Sequence, residues 1–169
     1  MQLNPKRAAE GSYSFVAFMV GAVRYALDIS HVREIVTPLS LTHLPHTPGG
    51  LAGVADHRSE VVPIINLRAR FNLPLAMEHS RKAKWILVSV DGKTVGLVVD
   101  DVLGVLRVAV GEFRPAPDLG GGEQARGISN VTTYDGQLVF VLDLSKFEKL
   151  AESFDHRSLL PGAGNEEDA

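Results

Sequence analysis

The sequence predicts a mostly β protein built as two five-stranded barrels packed together, with a C-terminal amphipathic helix. Three observations predict it. Valine occurs 20 times among 169 residues, and β-branched side chains suit a pleated, half-buried surface. Two strand-like runs are each interrupted by an Asp-Gly pair, Asp91-Gly92 and Asp135-Gly136, which tolerates the positive φ of a two-residue hairpin turn. The chain also repeats itself: Phe18–Val36 aligns with Val88–Leu106 at an offset of 70, and Val61–Leu67 echoes Leu138–Leu144 at an offset of 77. Two matches in the same order imply two similar halves of about five short strands each.

The elements follow in order. Residues 1–11 are a polar lead-in. Tyr13–Val20 alternates loosely and ends at Gly21, and Tyr25–Ile29 is a second short strand. Ser30–Ile35 is expected as a short turn or helix. Gly53–Ala55 and Val61–Ile65 flank Asp56-His57-Arg58-Ser59-Glu60, which reads as a longer hairpin loop. Pro63 lies in the return strand and has no amide to donate, so that strand is expected at an edge or bulged. Asn66–Phe71 reads as one helical turn. Trp85–Val90 and Thr94–Val99 form one Asp-Gly hairpin, and Val131–Tyr134 and Gln137–Leu142 form the other.

Asp143–Phe154 places Leu144, Phe147, Leu150 or Ala151, and Phe154 on one stripe, with Asp143 as N-cap. Pro161–Ala169 is an acidic tail with nothing to bury. The organised region is expected over 12–154, with one barrel over about 13–80 and the other over about 84–150. The first strand is expected to pack across the halves, and residues 1–11 and 155–169 are expected to be flexible ends.

Composition narrows the function. The absence of cysteine excludes disulfides, thiolate metal sites and a cysteine nucleophile. A net charge of -3 with scattered Lys and Arg offers no basic stripe for nucleic acid. The longest apolar runs, such as Val95–Val99, are far short of a membrane span of about 20 residues, so no direct membrane insertion is expected. The polar start also lacks a signal peptide's apolar middle.

No constellation makes a convincing catalytic, metal or cofactor site. His43 and His46 lie in a Pro-rich loop, without the helix that would fix both rings or a third ligand at a diagnostic spacing. Asp56, His57 and Ser59 are triad residue types, but they are too close in sequence for the usual relay. Gly120-Gly121-Gly122 lacks the Lys-Ser/Thr of a phosphate loop. Asp100-Asp101 and the pair Asp28 and Glu34 read as solvated or capping carboxylates. Loops of mixed polarity on a rigid β scaffold suit an interaction module.

The residues resemble the CheW family of chemotaxis coupling proteins over about 13–150. The first half carries the likeness in Tyr25-Ala26-Leu27-Asp28-Ile29, Val32-Arg33-Glu34-Ile35, Leu44-Pro45-His46-Thr47-Pro48, Gly53-Val54, Arg58 and Val61-Val62-Pro63-Ile64-Ile65-Asn66-Leu67-Arg68. The second half adds Val95-Gly96-Leu97-Val98-Val99-Asp100, Arg114-Pro115-Ala116-Pro117 and Leu142-Asp143-Leu144. The resemblance implies two SH3-like barrels and a non-catalytic adaptor without cofactor. Such an adaptor links the cytoplasmic tip of a chemoreceptor to the CheW-like regulatory domain of a CheA-type histidine kinase. It implies a cytoplasmic protein associated with receptor arrays at the inner membrane. Exposed sheet edges leave room for weak self-association or ring assembly.

Partner-binding positions carry over individually. Val32 and Glu34 match the family's Val-x-Glu contact, in which an apolar side chain enters the interface and the carboxylate faces a basic residue. Arg58 matches a partner-facing arginine. Leu41 and Val61 fall near the surface used for the kinase's matching barrel, and Val102 and Val105 line the groove for the receptor helix. The loop departs from the family's Gly-Val-x-Asn-Leu-Arg-Gly, reading Gly53-Val54-Ala55-Asp56-His57-Arg58-Ser59. Asp56 adds a negative charge able to pair with Arg58, Ser59 is expected to be strained if the position needs positive φ, and pH sensitivity at His57 is the disfavoured reading. The departure supports a second reading: an accessory that keeps one of the two contacts, or serves a different motility or signalling partner.

Overall fold

Antiparallel hairpins organise the chain. The computed structural model describes residues 11–45, 50–74, 81–117 and 127–148. β1 (Ser12–Val20) and β2 (Val23–Asp28) form the first hairpin, and a short 3-10 turn, Ile29–His31, leads into β3 (Val32–Val36). β4 (Leu51–His57) and β5 (Glu60–Asn66) pair next and are followed by the one-turn helix α1 (Leu67–Arg70). The second half gives β6 (Lys84–Val90), β7 (Lys93–Val99) and β8 (Asp101–Ala109). A 3-10 turn, Val110–Glu112, then precedes β9 (Arg114–Pro115), β10 (Ile128–Tyr134), β11 (Gln137–Leu142) and a last 3-10 turn, Leu144–Phe147.

The strands form a six-stranded sheet ordered β8-β1-β2-β11-β10-β9 and a five-stranded sheet ordered β3-β6-β7-β5-β4. This is the expected pair of small barrels, with two-residue β9 added to one of them. Strands do not sort by sequence half, however. Hairpin β1–β2 lies in the sheet of β8, β10 and β11, while hairpin β6–β7 lies in the sheet of β3, β4 and β5. The boundaries 13–80 and 84–150 therefore do not separate the barrels, because the repeats exchange their leading hairpins. Local turn chemistry specifies a hairpin but not the sheet it joins.

The exchange follows from burial on both faces. In β1, Tyr13, Phe15 and Ala17 face the interior of the six-stranded barrel, with Leu106, Val108, Val139 and Val141. Val16, Phe18 and Val20 face the larger core between the barrels, with Leu27, Ile65, Ile86, Leu97 and Phe147. Phe15 and Phe18 are both fully buried, and such burial contributes about 1.5–3 kcal/mol per side chain. Ala55, Val62, Ile64, Trp85 and Leu87 fill the five-stranded barrel.

The repeat persists in detail. Asn66 caps α1 by accepting from the Arg68 amide at 3.0 Å, and Asp143, 77 residues later, accepts from the Ser145 amide at 3.0 Å. Asp100 ties the barrels together: it accepts from the Gly21 amide at 2.6 Å in the β1–β2 turn and from Arg68 Nη2 at 2.9 Å. It is thus a structural ion-pair partner and not merely a solvated carboxylate.

Two expectations are corrected. Residues 32–36 are strand, because Val32 and Glu34–Val36 pair with β6 while only residues 29–31 turn. β5 is an interior strand between β7 and β4. Pro63 is accommodated because its partner Val54 gives both backbone groups to Thr42, at 2.8 and 2.9 Å, and pairing of β5 with β7 begins only at Ile64. The C-terminal amphipathic element starts as a 3-10 turn that buries Leu144 and Phe147. Leu150, Ala151 and Phe154 lie outside the described residues, as do His46 and Gly120–Gly122.

Candidate functional site

The edges of the five-stranded barrel meet at Glu34. β3 and β4 are the first and last strands of that sheet, and closure brings Glu34 on β3 to the β4–β5 turn. Glu34 Oε2 lies 3.0 Å from His57 Nε2, and Arg58 Nη2 donates to Glu34 Oε1 at 3.1 Å. One carboxylate thus holds both basic side chains. The His57 ring is mostly covered, whereas the Arg58 side chain is 75% exposed and presents its remaining donors outward.

The turn that carries Arg58 is tighter than expected. The five-residue loop contracts to Arg58 and Ser59, with φ of 53° and 64°, the left-handed pair of a type I′ turn made without glycine. Asp56 does not pair with Arg58. Successive strand residues point to opposite faces: His57 turns toward Glu34, while Asp56 Oδ1 accepts from the Ser59 amide at 3.1 Å. Nor does His57 serve Ser59 in a triad. Gly53 is needed below the turn, because a Cβ there would lie 2.2 Å from the Thr42 carbonyl oxygen.

The apolar candidates are scattered over both barrels. Leu41 and Val61 are half-buried, and Leu41 packs against the interior of the five-stranded barrel. Ile35 is exposed beside Glu34, a position the sequence reading did not single out. Val32 and Val102 are half-buried against the core between the barrels. Val105 is open to solvent on the six-stranded barrel, with Leu103, Tyr134 and Leu138 also exposed. The structure therefore brings Glu34, His57 and Arg58 together, and places Val105 on the other barrel.

Nothing in this arrangement provides a nucleophile held by a base. His43 Nδ1 faces the Ala52 carbonyl at 3.2 Å. Among the described residues no three His, Cys, Asp or Glu side chains converge as metal ligands, and no helix is long and apolar enough to cross a membrane.

Known proteins share the sequence and the fold. The CheW-like domain matches residues 14–151. A chemotaxis protein CheW of Rhizobium meliloti is 30% identical over 139 residues, covering 82% of this chain and 89% of that protein. Protein FrzA of Myxococcus xanthus is 32% identical over 152 residues, covering 89% and 92%. Among solved structures, the scaffolding protein TtCheW of Thermoanaerobacter tengcongensis superposes with a TM-score of 0.71 at 27% identity, covering 78% of this chain and 88% of that one.

Proposed function

This chain belongs to the CheW family, and on that premise we propose that it couples the cytoplasmic tip of a chemoreceptor to the CheW-like regulatory domain of a CheA-type histidine kinase. The coarser statement needs no proposal: the chain is a non-catalytic chemotaxis adaptor with two SH3-like barrels.

The observation that carries the finer reading is the Glu34–His57–Arg58 cluster on an exposed barrel edge. It orients a solvent-facing guanidinium on the barrel that also carries the exposed Ile35 and the half-buried Leu41 and Val61. A charged anchor amid partly exposed apolar groups suits a specific, reversible protein contact. On this reading Val32, Glu34, Leu41, Asp56, His57, Arg58 and Val61 serve the kinase-facing surface, and Val102 and Val105 serve the receptor-facing groove. The adaptor works at receptor arrays on the cytoplasmic face of the inner membrane. It transmits receptor state by favouring one of two array arrangements.

Purified chain mixed with the kinase's regulatory domain and, separately, with a receptor-tip fragment tests this directly. Binding of both is the expected result, with Arg58→Ala weakening the kinase contact. Binding of neither overturns it. Binding of one alone selects the single-contact accessory.

A further inference from the structure

We propose that the mouth of the six-stranded barrel is a docking site for this chain's own C-terminal segment, residues 155–169, through Leu159, Leu160 and the carboxylates that follow. The inference concerns contacts within one chain and stands whether or not the kinase and receptor partners are as described above.

The internal repeat allows the two barrel mouths to be compared position by position. In the five-stranded barrel the mouth is filled from within. Arg33 sits at a bulge in β3 and donates to Thr94 Oγ1 on the floor, and the next residue, Glu34, closes the rim by binding His57 and Arg58. In the six-stranded barrel, β8 bulges at the equivalent place, but the residues differ. Leu103 stands for Arg33, Gly104 for Glu34, Arg24 for Thr94 and Tyr134 for His57.

The result is an open cleft of about 260 Å³. Leu103, Val105 and Tyr134 are 45%, 59% and 48% exposed around it. Gly104 has φ of +121°, and a Cβ built there meets nothing within 4 Å. Arg24 lines the cleft with no carboxylate in ion-pair distance among the described residues. The filled mouth shows what the described residues do not supply here: apolar bulk and a carboxylate at the rim.

The chain's own end carries both. Residues 155–169 contain Leu159-Leu160 followed by Glu166, Glu167 and Asp168. With Asp155 they hold four acidic residues against one arginine, and so account for the whole net charge of -3. The preceding 154 residues are balanced, sixteen of each sign. Reach is adequate. Glu148 and Asp28 line one cavity at the far end of β2, and Arg24 lies four residues back along that strand, about 13 Å away. The eleven residues from Glu148 to Leu159 span up to about 36 Å when extended.

The test compares the full chain with a version ending at Phe154, to which a synthetic peptide of residues 155–169 is added, with backbone amide NMR as the readout. The peptide is expected to shift Leu103–Leu106, Tyr134 and Val139 in the shortened chain and to reproduce the full-length positions at saturation. Arg24→Gln is expected to weaken the peptide about fivefold. Serine at Leu159 and Leu160 of the peptide is expected to weaken it more than about tenfold. Gly104→Glu, which supplies the absent carboxylate from within, is expected to exclude the peptide. If that strained variant fails to fold, Arg24→Gln still decides. Identical spectra for both chains with no response at millimolar peptide overturn the proposal, as do shifts confined to the five-stranded barrel. Full-length shifts that disappear on dilution assign the occupant to a second copy and also overturn it.

Discussion

Glu34 and His57 stand on opposite edge strands of one sheet, and their side chains meet at 3.0 Å. The carboxylate that closes the barrel is thus the same one that orients Arg58. Under the function proposed above, structure and recognition would be coupled through this single side chain. Replacing Glu34 with Ala should therefore have two unequal effects. The stability loss should be small, about 1 kcal/mol or less, because the cluster is partly exposed. Kinase-domain affinity should fall about tenfold or more, because the anchor is no longer positioned. Chemical denaturation and titration calorimetry on the same variant separate the two.

Ser59 holds φ of 64° in a two-residue turn, and a left-handed conformation costs a non-glycine residue roughly 1–2 kcal/mol. Ser59→Gly should recover about 1 kcal/mol and raise Tm by several degrees, without altering the Arg58–Glu34 contact. A calorimetric scan reads this, and an unchanged or lower Tm would show that the extra freedom glycine gives the unfolded chain outweighs the relieved strain.

Asp100 accepts from the Gly21 amide and from Arg68, joining the β1–β2 turn to the other barrel. Asp100→Ala leaves a donor and a cation without their acceptor and should cost about 2–3 kcal/mol. Urea unfolding should show the lower midpoint, and hydrogen exchange should rise first around Gly21.

Asp143 gives a pH dependence of known sign. Burial pushes its carboxyl upward, but hydrogen bonds, including those from the Ser145 hydroxyl and amide, outweigh this and hold it below the usual carboxylate range. The folded state therefore binds its proton less readily than the unfolded state. The contribution is complete above the unfolded value of about 3.9 and is lost as pH falls through the lower folded value. Stability measured from pH 6 to pH 2.5 should fall less steeply in Asp143→Asn than in the parent chain.

Most local features were legible because their causes are local. Asp91-Gly92 and Asp135-Gly136 specify hairpin turns through their own backbone preferences, and Asn66 and Asp143 cap the turns that follow them. The site was only half legible. Glu34 and Arg58 stood out as candidates, but the contact between them spans 24 residues and both edges of a sheet. Asp56 looked the better partner by proximity in sequence. It was lost to Arg58 because strand alternation turns Asp56 and His57 to opposite sides.

By itself the sequence determined the β class and the duplicated halves, since composition, turn residues and periodicity are properties of short stretches. Tertiary structure alone decided that the halves exchange hairpins, that Glu34 collects His57 and Arg58, and that the described residues close one of two equivalent mouths and not the other. Each depends on which distant strands become neighbours. The shared core that buries both faces of β1 makes that choice.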